Sequence, residues 1–218
     1  ADLQAELMLY LPKSLAPPEN DLFTLSIRPI EQDAEIIGLP TDTVVLHPPL
    51  PVSQMQAPSE IAKRICSPTA TTMAVAGKDA ATLWPDAITA CYDPNTKAYG
   101  KWPLAIYWAS QQQRLGTVEA LAGWADAETV LRSGAPIVCS IRFAKDALPG
   151  APLTQSGGHL VVLYGIEFEQ NEGFALVMDP AGDTADHVAQ RYPLQAFSDA
   201  WLRHRGGAYV FGSGTRDP

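Results

Sequence analysis

Proline placement constrains this chain more than any other feature. Pro12, Pro17, Pro18, Pro29, Pro40, Pro48, Pro49 and Pro51 crowd its first 51 residues. Each fixes φ and removes a backbone donor, so no long helix can run there. Between them Phe23, Leu25 and Ile27 alternate with Thr24, Ser26 and Arg28, the period of a half-buried strand. Thr43 to His47 predicts another strand before Pro48-Pro49-Leu50-Pro51 hands over to the rest. The expectation is a β-rich, Pro-rich arm over residues 1–51 and a main domain over residues 52–218.

Beyond Pro51 the pattern turns helical. Pro68 suits a first helical turn, and Met73 and Val75 follow within Thr69 to Ala76, so a helix should open close to Cys66. Ala80 to Leu83 extends that pattern. Leu104 to Gln113, after Trp102-Pro103, and Asp126 to Arg132, closed by Gly134, predict two more helices. Then the period shortens: Ile137 to Phe143, Leu160 to Phe168, Phe174 to Met178 and Ala208 to Phe211 read as strands. Leu194 to His204 reads as one late helix stopped by Gly206-Gly207. Helices first and strands later is the order of an α+β domain.

Composition narrows the function. With 218 residues, 46% of them hydrophobic, the chain can bury one sizeable core. Its 15 Lys and Arg against 24 Asp and Glu give a formal charge of −9, which repels phosphate backbones and anionic lipid. Nucleic acid and membrane surfaces are therefore poor candidate partners. The apolar runs Leu7 to Leu11 and His159 to Ile166 fall far short of the ~20 residues a membrane span needs. Opening on Ala1 without a charged-then-apolar leader suits a mature exported product as well as a trimmed chain, and leaves the compartment open.

Three cysteines cannot all pair within one chain, so at least one thiol is free. Cys139, in Ile137-Val138-Cys139, and Cys91, in Ala90-Cys91-Tyr92, read as small buried hydrophobes. Cys66 stands at an expected helix start, where unpaired N–H groups and the helix dipole favour a thiolate. Such a nucleophile needs a base. His47 beside Pro48, His187 in Asp186-His187-Val188 and His204 in Arg203-His204-Arg205 each have a structural or surface explanation. His159 is different, because Gly157-Gly158 precede it and an apolar strand follows. Two glycines permit close backbone approach and an unusual turn, delivering the imidazole onto a cleft. The strand from His159 turns through Glu169 to Gly173 and returns through Phe174 to Asp179. His159 and Asp179 are symmetric about position 169, so hairpin geometry puts them within about two residues of direct opposition. Asp179 can then orient the imidazole.

Three blocks now carry a resemblance. Cys66-Ser67-Pro68-Thr69, then Gly158-His159-Leu160-Val161-Val162-Leu163-Tyr164-Gly165, then Val177-Met178-Asp179-Pro180-Ala181 resemble the Cys, His and Asp blocks of the C39-like cysteine peptidases. The likeness spans about residues 52–211 and includes Tyr99-Gly100-Lys101-Trp102-Pro103. It implies a papain-like fold, with a helical N-terminal part and a C-terminal antiparallel sheet. It also implies a cysteine peptidase acting on a peptide or protein substrate through a thioester, with Cys66 as nucleophile, His159 as base and Asp179 as orienting acid. No metal or organic cofactor is required. An oxyanion-stabilising glutamine upstream of the nucleophile is implied too: Gln54, after Ser53, matches best, and Gln56 is second. The chain departs from the family pattern at Ser67, where glycine is usual, and in the distance from Gln54 to Cys66. Met55 to Ile65 must therefore form an extra loop or turn. Amidase, transpeptidase or acyltransferase chemistry on the same fold, and a non-catalytic peptide-binding module, remain open alternatives.

Overall fold

The computed structural model describes residues 38–170 and 172–212. The strand expected at Phe23 to Ile27 lies outside the described residues. Val44–Val45 forms a short strand, β1. The helical part follows, with α1 (Ser59–Ala62), α2 (Cys66–Val75), α3 (Ala80–Ala90), α4 (Trp102–Gln111) and α5 (Trp124–Arg132). Strand β2 (Gly116–Ala120) interrupts it. The second half is β3 (Ile137–Phe143), β4 (Ser156–Glu169), β5 (Glu172–Met178), β6 (Ala189–Pro193), α6 (Leu194–Trp201) and β7 (Gly207–Phe211). This is the expected α+β order.

All seven strands join one antiparallel sheet, in the order β2-β7-β3-β4-β5-β6, with β1 against β4. Successive residues of a strand face opposite sides, so each strand feeds two cores. Ile137, Cys139 and Ile141 of β3 and Val161 and Leu163 of β4 pack with Trp124 and Leu131 of α5 and Phe197 and Trp201 of α6. Val138, Leu160 and Val162 pack on the other side with Met73 of α2, Ala87 of α3 and Trp108 of α4. Strands buried on both faces read as nearly continuous apolar runs, as Ile137 to Cys139 and Leu160 to Leu163 do.

Helix α2 runs through the second of these cores and is buried on almost every side, from Ser67 to Met73 and at Val75. Two of its three threonines solve the polar problem this creates, while the buried Thr71 hydroxyl has no partner among the described residues. Thr69 and Thr72 donate their hydroxyls to the carbonyls of Ile65 and Pro68, at 2.7 Å each, and the Trp84 indole N–H donates to Thr69 Oγ1 at 2.9 Å. Pro68 sits in the first turn, where its missing N–H costs nothing. Sequence periodicity ended the next helix near Leu83, yet α3 continues through Pro85 to Ala90. At the other end of the chain α6 stops at Trp201, and Arg205 and Gly206 adopt left-handed φ of 88° and 59° to turn into β7.

Strand β4 carries two irregularities. Its register against β5 slips between Leu163 and Gly165, and β1 docks there, so that a Cβ on Gly165 would lie 3.1 Å from the Val44 carbonyl oxygen. Its register against β3 shifts just beyond the pair His159–Ile141. The glycines ahead of His159 do not serve close approach: a Cβ on Gly157 or Gly158 would meet no atom within 4 Å, and neither residue has positive φ. Gly182, in the loop after β5, is the crowded one. A Cβ there would run into the His187 carbonyl group and come within 2.9 Å of the Val188 nitrogen. Gly182→Ala should therefore cost roughly 1–3 kcal/mol, a fall in Tm of about 5 °C, while Gly158→Ala should leave Tm within about 2 °C of wild type. Scanning calorimetry of the two variants distinguishes them, and equal Tm values would contradict the packing described.

Candidate active site

Cys66 is the first residue of α2 and is half-buried, whereas Cys91 and Cys139 are buried. Cys66 thus stands at the N-terminus of a ten-residue helix, whose unpaired N–H groups and dipole favour negative charge. His159 lies on β4, 4% exposed, and Asp179, directly after β5, is 1% exposed. His159 Nε2 is 2.7 Å from Asp179 Oδ1. The same imidazole also acts on the Cys66 sulfur, favouring its thiolate, and because Nε2 faces Asp179, Nδ1 is the nitrogen left for the sulfur. The Leu160 backbone N–H favours the thiolate as well. All three residues singled out in the sequence thus meet at one place, His159 hydrogen-bonded to Asp179 and electrostatically coupled to Cys66.

The hairpin argument works through a corrected register. Glu167 pairs with Phe174 and Ile166 with Ala175, which centres the turn one to two residues beyond position 169. The slip at Gly165 then brings Val162 opposite Met178. Asp179 consequently falls near Val161, two residues along from His159, and side chains of that length close the gap.

Asp179 is held from three sides. Its Oδ1 accepts His159 Nε2 and the Ala181 N–H at 2.9 Å, and its Oδ2 accepts the Tyr192 hydroxyl at 2.7 Å. Tyr192, fully buried on β6, escaped sequence reasoning. The run Gln190-Arg191-Tyr192 offered one signal, an aromatic between polar neighbours just before a helix. Ser67, in the position where glycine was expected, is buried with its hydroxyl 3.5 Å from Tyr209 Oη.

The electrostatics are mutually consistent. Burial pushes the Cys66 thiol up, but the hydrogen bond and charge of His159, with the Leu160 N–H, outweigh it and leave the thiol below its ordinary 9.0. Burial alone would lower His159, yet Asp179 and Cys66 raise it to about 10. Burial would raise Asp179, and His159, Ala181 and Tyr192 hold it below the usual carboxylate range. All three shifts favour the charged forms: thiolate at Cys66, imidazolium at His159 and carboxylate at Asp179. Cys91, pushed up to about 12 by burial and Asp86, and Cys139, raised well above 9.0 by burial, stay neutral thiols.

The glutamines separate clearly. Ser53 caps a 3-10 turn, Gln54–Gln56, by accepting the Met55 N–H, and donates its hydroxyl to the Gly182 carbonyl. The Gln54 N–H donates to the Pro180 carbonyl at 2.9 Å, which docks this turn on the loop that follows Asp179. Gln54 is 4% exposed and its Nε2 donates to the Ala62 carbonyl at 2.7 Å, while Gln56 is exposed. Met55 to Ile65 forms the 3-10 turn and α1, the extra turn that the spacing required. His47, His187 and His204 are all exposed; His47 Nδ1 lies 3.0 Å from the Pro48 carbonyl oxygen and His187 pairs with Asp183. Among the described residues no group of three or more His, Cys, Asp or Glu side chains is arranged to hold a metal, and no helix is long and apolar enough to cross a membrane.

Iodoacetamide should accordingly alkylate Cys66 first, with a rate whose pH midpoint lies below 9.0, because its thiolate persists as pH falls until that lowered value is passed. In His159→Ala only the Leu160 N–H and the helix end are left to oppose the push of burial, so the midpoint should move upward and the rate at pH 7 fall by about tenfold or more. Rates followed by peptide mapping test both. Equal labelling of Cys91, or an unmoved midpoint in His159→Ala, would contradict the coupling.

Comparison with known proteins adds the family. No curated protein gives a significant match. A solved structure does match, the crystal structure of a double glycine motif protease from an AMS/PCAT transporter in complex with the leader peptide. Identity is 14%, coverage is 78% of this chain and 98% of that one, and the TM-score is 0.46, a likeness too distant to bear on function. Residues 50–209, by contrast, match the model of the Peptidase_C39 like family, a span that holds the helix of Cys66, the hairpin of His159 and Asp179, and Gln54, and on that match the chain belongs to this family of peptidases.

Proposed function

We propose that the protein is a cysteine peptidase that hydrolyses a peptide amide bond through a thioester, with Cys66, His159 and Asp179 as its triad. The observation that carries this reading is the buried His159–Asp179 hydrogen bond coupled to Cys66 at the start of a buried helix.

In the proposed cycle the Cys66 thiolate attacks the scissile carbonyl and forms the C–S bond. The tetrahedral oxyanion collapses as the imidazolium of His159 gives its proton to the leaving amine. Neutral His159 then takes a proton from water, whose hydroxide oxygen attacks the thioester. The carboxylic acid leaves and the thiolate–imidazolium pair is restored. Asp179 keeps the ring in one orientation throughout and balances its charge; the Ala181 N–H and the Tyr192 hydroxyl keep Asp179 itself in place. Gln54 has one amide N–H tied to Ala62, which fixes the group and leaves the second N–H to join the Cys66 backbone N–H on the oxyanion. Family membership supports the peptidase class, and the burial of Gln54 beside the loop of Asp179 favours it over the exposed Gln56.

Cleavage of a peptide library by wild type beside Cys66→Ala tests the whole reading: wild type should cut and Cys66→Ala should not. Two silent proteins, or two active ones, would overturn it. Asp179→Asn should fold and yet lose roughly 10³-fold or more in kcat, because an amide stabilises the wrong tautomer and leaves the imidazolium unbalanced. Gln54→Ala should lower kcat by roughly 100-fold with little change in KM, and Gln56→Ala should change neither. A large kcat loss in Gln56→Ala with Gln54→Ala silent would reassign the oxyanion donor.

A further inference from the structure

We propose that the surface beside Cys66 built from Lys63, Arg64, Lys97 and Lys101 with the rings of Tyr92 and Tyr99 selects substrate, and that it takes a peptide with a carboxylate side chain within a few residues of the scissile bond. This rests on Cys66 as the nucleophile. Arg64 precedes Cys66 by two residues, so their backbones lie within about 7 Å.

The wall is assembled rather than incidental. The Arg64 guanidinium donates to the Lys97 carbonyl and stands 5.8 Å from the centroid of the Tyr99 ring. Tyr99 in turn packs on Tyr92, with centroids 5.0 Å apart. Lys97 takes a left-handed φ of 52° in the turn closed by the Asp93–Ala98 bridge, and its carbonyl thereby meets Arg64. A long arginine that would otherwise sample many rotamers is held against a ring, with the N–H groups that Lys97 does not use left over for a ligand.

Charge points to the class of ligand. The chain carries −9 overall, yet four cations gather at this end of α2. Lys63, Arg64, Lys97 and Lys101 are all exposed, and among the described residues none of them lies in a salt bridge. Arg132, Arg191 and Arg203, elsewhere on the surface, are each paired with carboxylates. Of the neighbouring acids, Asp93 accepts the Asn95 N–H and the Thr96 hydroxyl, at 3.0 and 2.6 Å, and its charge also acts on Lys101, while Glu60 is exposed on α1. A peptide carboxylate is attracted to this patch and repelled by the rest of the protein, and the exposed ring of Tyr92 offers apolar contact beside it.

The test compares library peptides in pairs, Glu or Asp against Gln or Asn at each position flanking the cut. Turnover is read on wild type, and binding by fluorescence anisotropy on Cys66→Ala. The acidic member should be preferred by about tenfold in kcat/KM and in affinity at low salt. In Lys97→Gln/Lys101→Gln and in Arg64→Gln the preference should shrink severalfold, chiefly through KM, and in wild type it should fade at about 0.5 M salt. Cleavage without an acidic preference, or a preference untouched by these variants, overturns the proposal and spares the peptidase reading. Acidic preference in binding without any turnover by wild type does the reverse.

Discussion

A carboxylate removed from water is tolerated only where donors replace its hydration, and the arrangement around Asp179 follows from that requirement. The donors come from far apart in the chain: an imidazole from β4, an N–H from the residues just after β5, and a hydroxyl from β6. Three adjacent strands must be in register for all to arrive together. The sheet order β4-β5-β6 and the tight loop at Gly182 are thus conditions for keeping this one charge buried. The same charge, once secured, raises the affinity of His159 for its proton, and the proton in turn draws one from Cys66.

Three cysteines of identical chemistry show how far environment decides reactivity. Cys139 points into the apolar core between β3, α5 and α6, and Cys91 into the core between α2, α3 and α4. Neither has a cationic partner, and burial raises both. Cys66 is also penalised by burial, but a protonated ring and a helix N-terminus stand beside it. A buried thiol is inert until a cation shares its pocket.

Much of this was legible in the amino-acid order, for reasons that differ between elements. Strand β3 matched its expected bounds, Ile137 to Phe143, because its first half, buried on both faces, is an apolar run and its second half alternates exposed Ser140 and Arg142 with buried Ile141 and Phe143. The start of α2 at Cys66 followed from Pro68. The helical pattern of Ala80 to Leu83 continues further than the sequence indicates, since in α3 Pro85 sits six residues in, past the first turn, and the chain carries on to Ala90. Strands β2 and β6 were missed, since edge strands such as Gly116 to Ala120 bury little and show weak alternation. Histidine could be ranked by neighbours alone, and His159 is the one His that is buried. The purpose assigned to Gly157 and Gly158 was not met; they lie open, with no atom near where a Cβ would stand. The role of Tyr192 has no more than a faint local signal, because only tertiary pairing of β5 with β6 brings it to Asp179.

The docking of Gln54 has a consequence for how such chains can vary. Its backbone is fastened to Pro180 and the neighbouring Ser53 to Gly182, so its position is inherited from the loop that follows Asp179. The chain between Gln54 and Cys66 therefore spans two independently fixed points. Residues added to or taken from this bridge leave the two backbone abutments in place, but the Ala62 carbonyl that holds the Gln54 amide must stay within reach, so sequence separation along that stretch says little about distance in space while that one contact is kept.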